Sequence, residues 1–301
     1  GYPHVSIKRI EAPDHITTVF DAFKIGIEVK CRTTMSETIR TYKGVENIFN
    51  YFLTHHKLKE LDVKDFTKRH VTLFSDYLSL ERSIGGRTHN KYLTHVCSVF
   101  NELLSREIVV ANVWLKAKRL KEKEVSRRTF TEAERVAMVS YLYHNDTWLF
   151  RWVILQYYCF IRGMELRRIT FGDINVREGY ISLGSEKTKN GKHRNVTIPK
   201  GMEVHLLHED FTKYPQNWLV FGSEMKPHKN KAVGSNTPNW RHKQALDKLL
   251  KDGQFTNIDD LSIYCWKYTG ISDDLNYKYL DIQDTQYQAG HHSTEQTLTY
   301  V

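Results

Sequence analysis

Residues 148–169 read WLFRWVILQYYCFIRGMELRRI, and this stretch decides the fold of the second half of the chain. Residues 148–161 are too hydrophobic on all sides for a surface helix, so they predict a helix that runs through a core. Before them, Asn145 and Asp146 mark a break, and TEAE at 131–134 offers a capping box that opens another helix. A cationic side chain, Arg162, follows directly on the core helix.

Beyond the core helix, the sequence predicts a small sheet. Strands are expected at Tyr180–Leu183 and Asn195–Ile198, joined by the polar turn SEKTKNGKHR, which makes a basic hairpin. The remainder returns to helical periodicity, apart from a loop at 225–238 that is rich in Lys, Asn, Pro and Gly. Residues 130–301 therefore predict a mixed α/β domain that is mostly helical and carries a small antiparallel sheet.

Upstream, residues 1–115 predict a small helical bundle. Apolar side chains recur at spacings of three and four residues within 35–56, and the same pattern runs through 66–77. After the turn at Gly85 and Gly86, Thr88 is expected to cap a third helix, whose apolar stripe consists of Tyr92, Val96, Phe100 and Leu103. The chain as a whole is thus expected to be mainly α-helical.

Between these domains, residues 116–129 read KAKRLKEKEVSRRT and contain almost no apolar side chains. We interpret this segment as an interdomain linker that lies along a phosphate backbone. A solvated extension of a helix is the alternative, because runs of charge are commonly exposed.

The composition excludes several classes of protein. The chain has 301 residues, of which 40% are hydrophobic and 26% are charged, and these values exclude disorder and collagen. No apolar run approaches the roughly 20 residues that span a bilayer. The four cysteines are far apart, which gives no sign of a disulfide framework or a zinc site. We expect a soluble protein of the reducing cytoplasm, with no membrane partner.

The positive charge is concentrated in the first part of the chain. The formal net charge is +9, and residues 1–129 hold 23 Lys and Arg against 15 Asp and Glu, a net charge of +8. Such asymmetry is typical of a domain that grips a polyanion, because neutralised phosphates release counterions. Nucleic acid is therefore the expected partner, and a solvated basic face is the alternative.

Single polar residues carry little information here. Arg162 beside Glu165 would ordinarily form a structural ion pair, Lys187 would be solvated, and Tyr300 would pack in a core. His291 and its histidine neighbour have no carboxylate or cysteine at ligand spacing, so no metal is expected. The order and spacing of these residues are more informative than any one of them.

Taken in their order along the chain, these residues resemble the motifs of the tyrosine recombinase, or phage integrase, family, and the resemblance covers nearly the whole chain. The family motif R-x-x-E-L is matched at 162–166, and its hairpin lysine is matched by Lys187 before Thr188. The H-x-x-R-H-T box is represented by YCWKYTG at 264–270. A G-H-x-S segment is matched by GHHS at 290–293, and Tyr300 follows His291 by nine positions, as in the family.

The box departs from the family pattern at two positions. Tyr264 stands where the family has histidine, and Lys267 stands where it has arginine. A planar bidentate cation is thereby replaced by a point charge. The resemblance implies that Tyr264 offers a hydroxyl in the role of the lost acid or base. We interpret both changes as the divergence of a mobile-element integrase, with lower activity as an alternative.

The resemblance also implies a mechanism. Tyr300 would attack a phosphodiester and form a 3′-phosphotyrosine, while Arg162 and Lys267 would hold the non-bridging oxygens. Lys187 would protonate the departing 5′-oxygen in preference to the neighbouring Lys189, Lys192 and Arg194. His291 would bind the phosphate or assist proton transfer. No cofactor and no metal would be needed, because the tyrosyl link conserves the bond energy.

The function that the resemblance implies is site-specific recombination of double-stranded DNA. A helical core-binding domain and a catalytic domain would clamp a duplex, and a homotetramer would form the synapse from protomers that are monomers when free. A nucleoid-associated bacterial protein is expected. The alternatives are a DNA-binding relative with impaired cleavage and a type IB topoisomerase. Because the chain lacks an initiating methionine and stops one residue after Tyr300, we expect an excised fragment.

Overall fold

The computed structural model describes residues 18–34, 36–123, 128–206, 213–277 and 279–300. The chain divides into two compact units, residues 1–125 and 126–301, so the division falls inside the segment 116–129. The described part of that segment, 116–123 and 128–129, contains no helix or strand, which contradicts the alternative of a helix extension. The rest of the segment lies outside the described residues.

Unit 1, residues 1–125, is helical. Its described residues form four α-helices and a π-helical turn at Tyr77–Glu81: α1 (Val19–Thr33), α2 (Ser36–His55), α3 (Lys68–Asp76) and α4 (Gly86–Ser105). The last three helices confirm the helices that the sequence predicts. α1 was not predicted, and Thr18 caps it by accepting a hydrogen bond from the backbone of Asp21.

The core of unit 1 is built on aromatic rings. The ring of Phe49, on α2, lies 4.2 Å from that of Phe23, 5.4 Å from that of Phe74 and 6.0 Å from that of Trp114, measured between centroids. All four side chains are almost completely buried. These rings supply much of the apolar area that holds α1, α2 and α3 together.

The start of α4 differs from the prediction. The helix begins at Gly86 with Gly85 at its N-cap, so the expected cap at Thr88 is wrong by three positions. The reason is tertiary packing against the chain around residue 120. The side chain of Asn90 accepts a hydrogen bond from the backbone of Leu120 and donates one back to its carbonyl, and Gly86 has no Cβ to obstruct Lys121.

Unit 2, residues 126–301, is mostly helical as well. In the ranges of this unit that the structure describes, the helices are α5 (Glu132–Asn145), α6 (Thr147–Tyr158), α7 (Gly163–Leu166), α8 (Glu203–Leu206), α9 (Thr237–Lys251), α10 (Cys265–Tyr277), α11 (Ile282–Ala289) and α12 (Thr294–Leu298). The predicted capping box of Thr131 and Glu134 opens α5, and Asp146 caps α6. Every residue of α6 from 149 to 156 is buried, which confirms the predicted core helix.

Three short antiparallel strands form the sheet of unit 2, in the order β1 (Ile174–Asn175), β2 (Tyr180–Leu183) and β3 (Arg194–Thr197). β2 has its predicted bounds, whereas β3 begins one residue early and pairs Arg194 with Leu183. The fold class is confirmed as mainly α with a small antiparallel sheet. Across the described ranges, every helix is too short or too polar to cross a bilayer.

Candidate active site

Arg162 stands at the N-cap of α7, and residues 159–161 connect it to the end of the core helix α6. Its backbone N–H donates to Glu165 Oε2 at 3.0 Å, and its guanidinium Nη1 lies 3.4 Å from Glu165 Oε1. Its Nη2 donates to the carbonyl oxygen of Gly290 at 2.9 Å. These contacts fix a mostly buried guanidinium at the edge of the core.

Glu165 is fully buried and binds a second arginine. Arg194, the first residue of β3, donates from Nη1 to Oε1 at 3.1 Å and from Nη2 to Oε2 at 2.8 Å. Burial raises the pKa of Glu165, but hydrogen bonds and charge from Arg194 and Arg162 outweigh it and hold the pKa below its ordinary value. Glu165 is therefore an anion shared between two arginines.

Lys267 lies inside α10 and is fully buried. Its Nζ donates to the carbonyl oxygen of Ala289 at 2.9 Å. Burial lowers the pKa of this amine well below its ordinary value, and the neighbouring charges of Arg162 and Arg194 lower it further, while Glu165 opposes them. Lys267 thus lies close to Arg162, Glu165 and Arg194, but its environment disfavours the charged form of its amine.

The end of α11 supports the next residue of the site. Gly290 caps this helix in the left-handed region, with φ 64° and ψ 45°, and His291 follows it. His291 Nδ1 lies 3.0 Å from Thr297 Oγ1, and its buried Nε2 has no hydrogen-bond partner in the described parts of the chain. Burial, followed by the charges of Lys267 and Arg162, lowers the pKa of His291 to about 3, so the ring is neutral at pH 7.

Tyr300 follows α12 and is almost completely buried. Its ring stacks on that of His291 with centroids 5.2 Å apart, and packs in a tilted arrangement against that of Tyr268 at 4.7 Å. The hydroxyl of Tyr300 lies 3.4 Å from the hydroxyl of Tyr264. Tyr300 is therefore placed against His291, and its hydroxyl lies beside that of Tyr264, the first residue of the box YCWKYTG.

Lys187 has its own partner. Its Nζ donates to both carboxylate oxygens of Asp173, at 2.7 and 2.5 Å. The same carboxylate accepts hydrogen bonds from the backbone and the side chain of Thr170, so Asp173 also caps a 3₁₀ turn. In this arrangement Lys187 is bound to Asp173 and makes no described contact with the other predicted site residues.

An open cavity of about 490 Å³ adjoins the cluster. Arg194, Gly290 and His291 line it on the side of the cluster, and Lys192, His193 and His292 lie among its other walls. A cavity with this many cationic and polar groups suits an anion.

Comparisons with known proteins concern the fold of the chain and its first domain. Residues 18–120 match the phage integrase SAM-like domain. The fold is similar to that of the Tn1549 transposon integrase in complex with a circular intermediate DNA, with a TM-score of 0.75, 12% identity and coverage of 94% of this chain and 95% of that chain. It is also similar to a lambda integrase dimer bound to a COC′ core site, with a TM-score of 0.72, 15% identity and coverage of 94% and 77%.

A lambda integrase tetramer bound to a Holliday junction gives a TM-score of 0.71 at 15% identity, over 98% of this chain and 83% of that chain. No curated protein matches by sequence. The chain has the tyrosine recombinase fold. The fold that the resemblance implies is therefore confirmed.

Within this recombinase fold, five of the six predicted site residues come together. The cluster contains Arg162, Tyr264, Lys267, His291 and Tyr300, linked by the contacts above. The assignment of catalytic roles to these residues and to Lys187 stays a prediction.

Sequence reasoning gave Arg194 too little weight, because it treated this residue only as one of several hairpin cations. The signal was available in the alternation of β3. Arg194 and Val196 face inward while Asn195 and Thr197 are exposed, so the arginine occupies a core position. A charge there requires a partner, and Glu165 supplies it.

Proposed function

We propose that this chain is a site-specific DNA recombinase that cleaves and rejoins strands through a 3′-phosphotyrosine. One observation carries the proposal: Tyr300 stacks on the neutral His291, which is adjacent to the carbonyl that binds Arg162. A nucleophile, a proton carrier and a phosphate-binding cation are thus joined in one cluster of a recombinase fold.

The chemistry begins with Tyr300. Its hydroxyl oxygen attacks the phosphorus atom, forms an O–P bond and loses its proton, while the bond from phosphorus to the 5′-oxygen breaks. A tyrosine has an ordinary pKa near about 10, so the proton needs an acceptor or a strongly positive site. His291 has the stacked position and the neutral ring for this task, and Tyr264 offers its hydroxyl beside the attacking oxygen.

The charge that grows on the phosphate requires cations. Arg162 would bind a non-bridging oxygen, and the ion pair with Glu165 holds its guanidinium in place. A donor that is fixed before the reaction stabilises the transition state without a cost of reorganisation. We assign the same role to Lys267, which is already anchored to Ala289.

Lys187 is our candidate for the proton donor to the departing 5′-oxygen. To act, its Nζ must leave the carboxylate of Asp173 and reach the cluster. Since Lys187 follows β2 in the hairpin that joins β2 to β3, a change in that connection on DNA binding would release it. Asp173 would then act as a holding partner before the DNA arrives.

Double-stranded DNA is the proposed substrate. The net charge of +8 in residues 1–129 supports a phosphate-binding role, and residues 18–120 match a domain that takes its name from phage integrases. We further propose a homotetramer as the synaptic form, monomers as the free form, and a place on the bacterial nucleoid. The integrase structures bound to DNA as a dimer and a tetramer support the proposed assembly of several protomers on DNA.

Covalent trapping tests the function. The protein is incubated with nicked duplexes, so that the cleaved strand dissociates and the adduct accumulates, and the products are separated on a denaturing gel. We expect a protein–DNA adduct that persists in EDTA and is lost in Tyr300→Phe. Salt-sensitive binding without an adduct would favour the relative with impaired cleavage instead.

A second assay separates recombination from topoisomerase activity. A recombinase should act at a defined sequence and need a partner site, whereas a type IB topoisomerase should relax supercoiled plasmid without either. Relaxation of plasmids of unrelated sequence by the wild-type protein would refute site-specific recombination.

A further inference from the structure

The cluster has a weak cation at a position where the chemistry needs a strong one. Lys267 is completely buried and its Nζ donates to Ala289, in surroundings that disfavour its charge. A single ammonium also lacks the planar pair of donors with which a guanidinium binds two oxygens of one phosphate. The positive charge at the phosphate must therefore come in part from another residue.

Arg194 lies where that residue should be. Both Arg194 and Arg162 contact the same carboxylate oxygen of Glu165, at 3.1 and 3.4 Å. Both also pack against Gly290, since a Cβ placed there would be 2.9 Å from Arg194 Cζ and 3.0 Å from Arg162 Nη1. Two guanidiniums thus lie side by side, with one buried carboxylate between them.

The pairing with Glu165 leaves donors of Arg194 available. A guanidinium has five N–H groups, and the end-on contact with Glu165 uses one from each Nη. The Nε of Arg194 is buried and has no hydrogen-bond partner among the described residues, and the same is true of Nε2 of His291. Buried polar atoms are nearly always paired, and both residues line the 490 Å³ cavity, so these atoms indicate a ligand there.

We propose that Arg194 binds the non-bridging oxygens of the scissile phosphodiester as the second guanidinium of the site, beside Arg162. This inference rests on the proposed recombinase function. The phosphate enters from the cavity and meets the Nε edge of Arg194, while the opposite end of the guanidinium stays on Glu165. The strand-borne arginine thereby provides the bidentate contact that the buried lysine of the box cannot make.

A purely structural role for Arg194 makes different predictions. If Arg194 only neutralised the buried charge of Glu165, its loss would reduce the rate by the same factor on any substrate. If Arg194 contacts the phosphate, the size of the loss depends on whether that phosphate is charged. A double variant with Glu165 cannot separate the two roles, because Glu165 also binds Arg162.

The test begins with a substrate selected by the wild-type protein. A nicked duplex library of randomised sequence is incubated with the full chain, and the covalent adducts are isolated and sequenced. If the wild-type protein captures nothing, the proposed function itself fails, and this outcome is distinct from a failure of the role of Arg194. The selected duplex is then made with an ordinary phosphodiester and, separately, with each diastereomer of a neutral methylphosphonate at the scissile position.

Single-turnover rates of adduct formation give the result. We expect Arg194→Gln to be slower than wild type by about 100-fold on the phosphodiester, the usual effect of losing one donor to a developing oxyanion. On at least one methylphosphonate the loss should shrink to about threefold, because the substrate no longer carries the charge that the arginine neutralises. The matched control is Arg241→Gln, which removes an arginine paired with Asp146 elsewhere in unit 2 and should keep the wild-type rate on both substrates.

Two results would overturn the proposal: a rate for Arg194→Gln within about threefold of wild type on the phosphodiester, or an equal loss on charged and neutral substrates. Thermal melting shows whether the variant is folded. If Arg194→Gln is not folded, the same rates are measured with Arg194→Lys, since this variant keeps a positive charge near Glu165 and lacks the two adjacent donors of a guanidinium. The same two results with that variant would overturn the proposal.

Discussion

Replacing Gly290 with alanine tests how tightly the two guanidiniums are held. Gly290 has φ 64°, a left-handed conformation that costs an L residue about 1–2 kcal/mol. The new Cβ would also lie 2.9 Å from Arg194 Cζ and 3.0 Å from Arg162 Nη1. Ordinary van der Waals contacts between heavy atoms begin at about 3.5 Å, so both guanidiniums must move away from residue 290 by roughly 0.5 Å.

A second glycine separates the two effects. Gly253 follows α9 with φ 72°, and nothing lies within 4 Å of the position of its Cβ. Gly253→Ala should therefore lower the melting temperature of unit 2 by about 2–8 °C, since 1 kcal/mol corresponds to about 2–4 °C in a domain of this size. Gly290→Ala should show at least this loss, and in addition about 10- to 100-fold slower cleavage, because small displacements of positioning groups are costly.

The assay combines calorimetry with single-turnover formation of the covalent adduct on a nicked duplex. Gly253→Ala should keep the wild-type rate in the adduct assay while it melts earlier. The reasoning about the site is refuted if both variants melt alike and Gly290→Ala also cleaves at the wild-type rate. In that case neither guanidinium would need its observed position.

Three further predictions concern other parts of the molecule. Burial lowers the pKa of His242 to about 3, so the unfolded chain binds more protons than the folded one below pH 6.5, and the free energy of unfolding falls as the pH falls. The variant His242→Asn keeps an acceptor for Trp266, and between pH 7.5 and 5 its free energy of unfolding, measured in urea, should fall by about 2 kcal/mol less than that of the wild type. If Lys187 is the proton donor, Lys187→Ala should cleave an ordinary substrate slowly. It should cleave a 5′-bridging phosphorothiolate at nearly the wild-type rate, because that leaving group needs no proton, and an equal loss of rate on both substrates would exclude this role. Phe49→Ala should destabilise unit 1 by about 3–5 kcal/mol in denaturant titrations, and a change below about 1 kcal/mol would contradict the aromatic core described above.

The parts of the fold that depend on local pattern could be predicted from the sequence. The apolar run of α6 and the capping box of Thr131 and Glu134 are properties of adjacent residues, and both are present in the structure. The early start of α4 could not be predicted in this way. It depends on the backbone around residue 120, which packs against Gly86 and binds Asn90, and no window of sequence contains both partners.

The candidate active site likewise has features that follow from local sequence and features that depend on tertiary contacts. The spacing of His291 and Tyr300 brought attention to two residues that the structure stacks together. The shared carboxylate between Arg162 and Arg194 was not foreseen, because Arg194 is 29 residues from Glu165 along the chain and reaches it only through the register of β3. The contact of Lys187 with Asp173 was missed for a related reason, since each residue alone has an ordinary local explanation.

The last turn of α11 has a consequence for how this chain can vary. Lys267 and Arg162 bind two successive main-chain oxygens at the end of this helix, those of Ala289 and Gly290, and neither contact involves a side chain of the helix. Substitutions along the exposed face of 282–287 should therefore be tolerated. An insertion or deletion of one residue there would rotate both oxygens by about 100° around the helix axis and remove them from the two cations. We expect this segment to accept changes of composition and to reject changes of length.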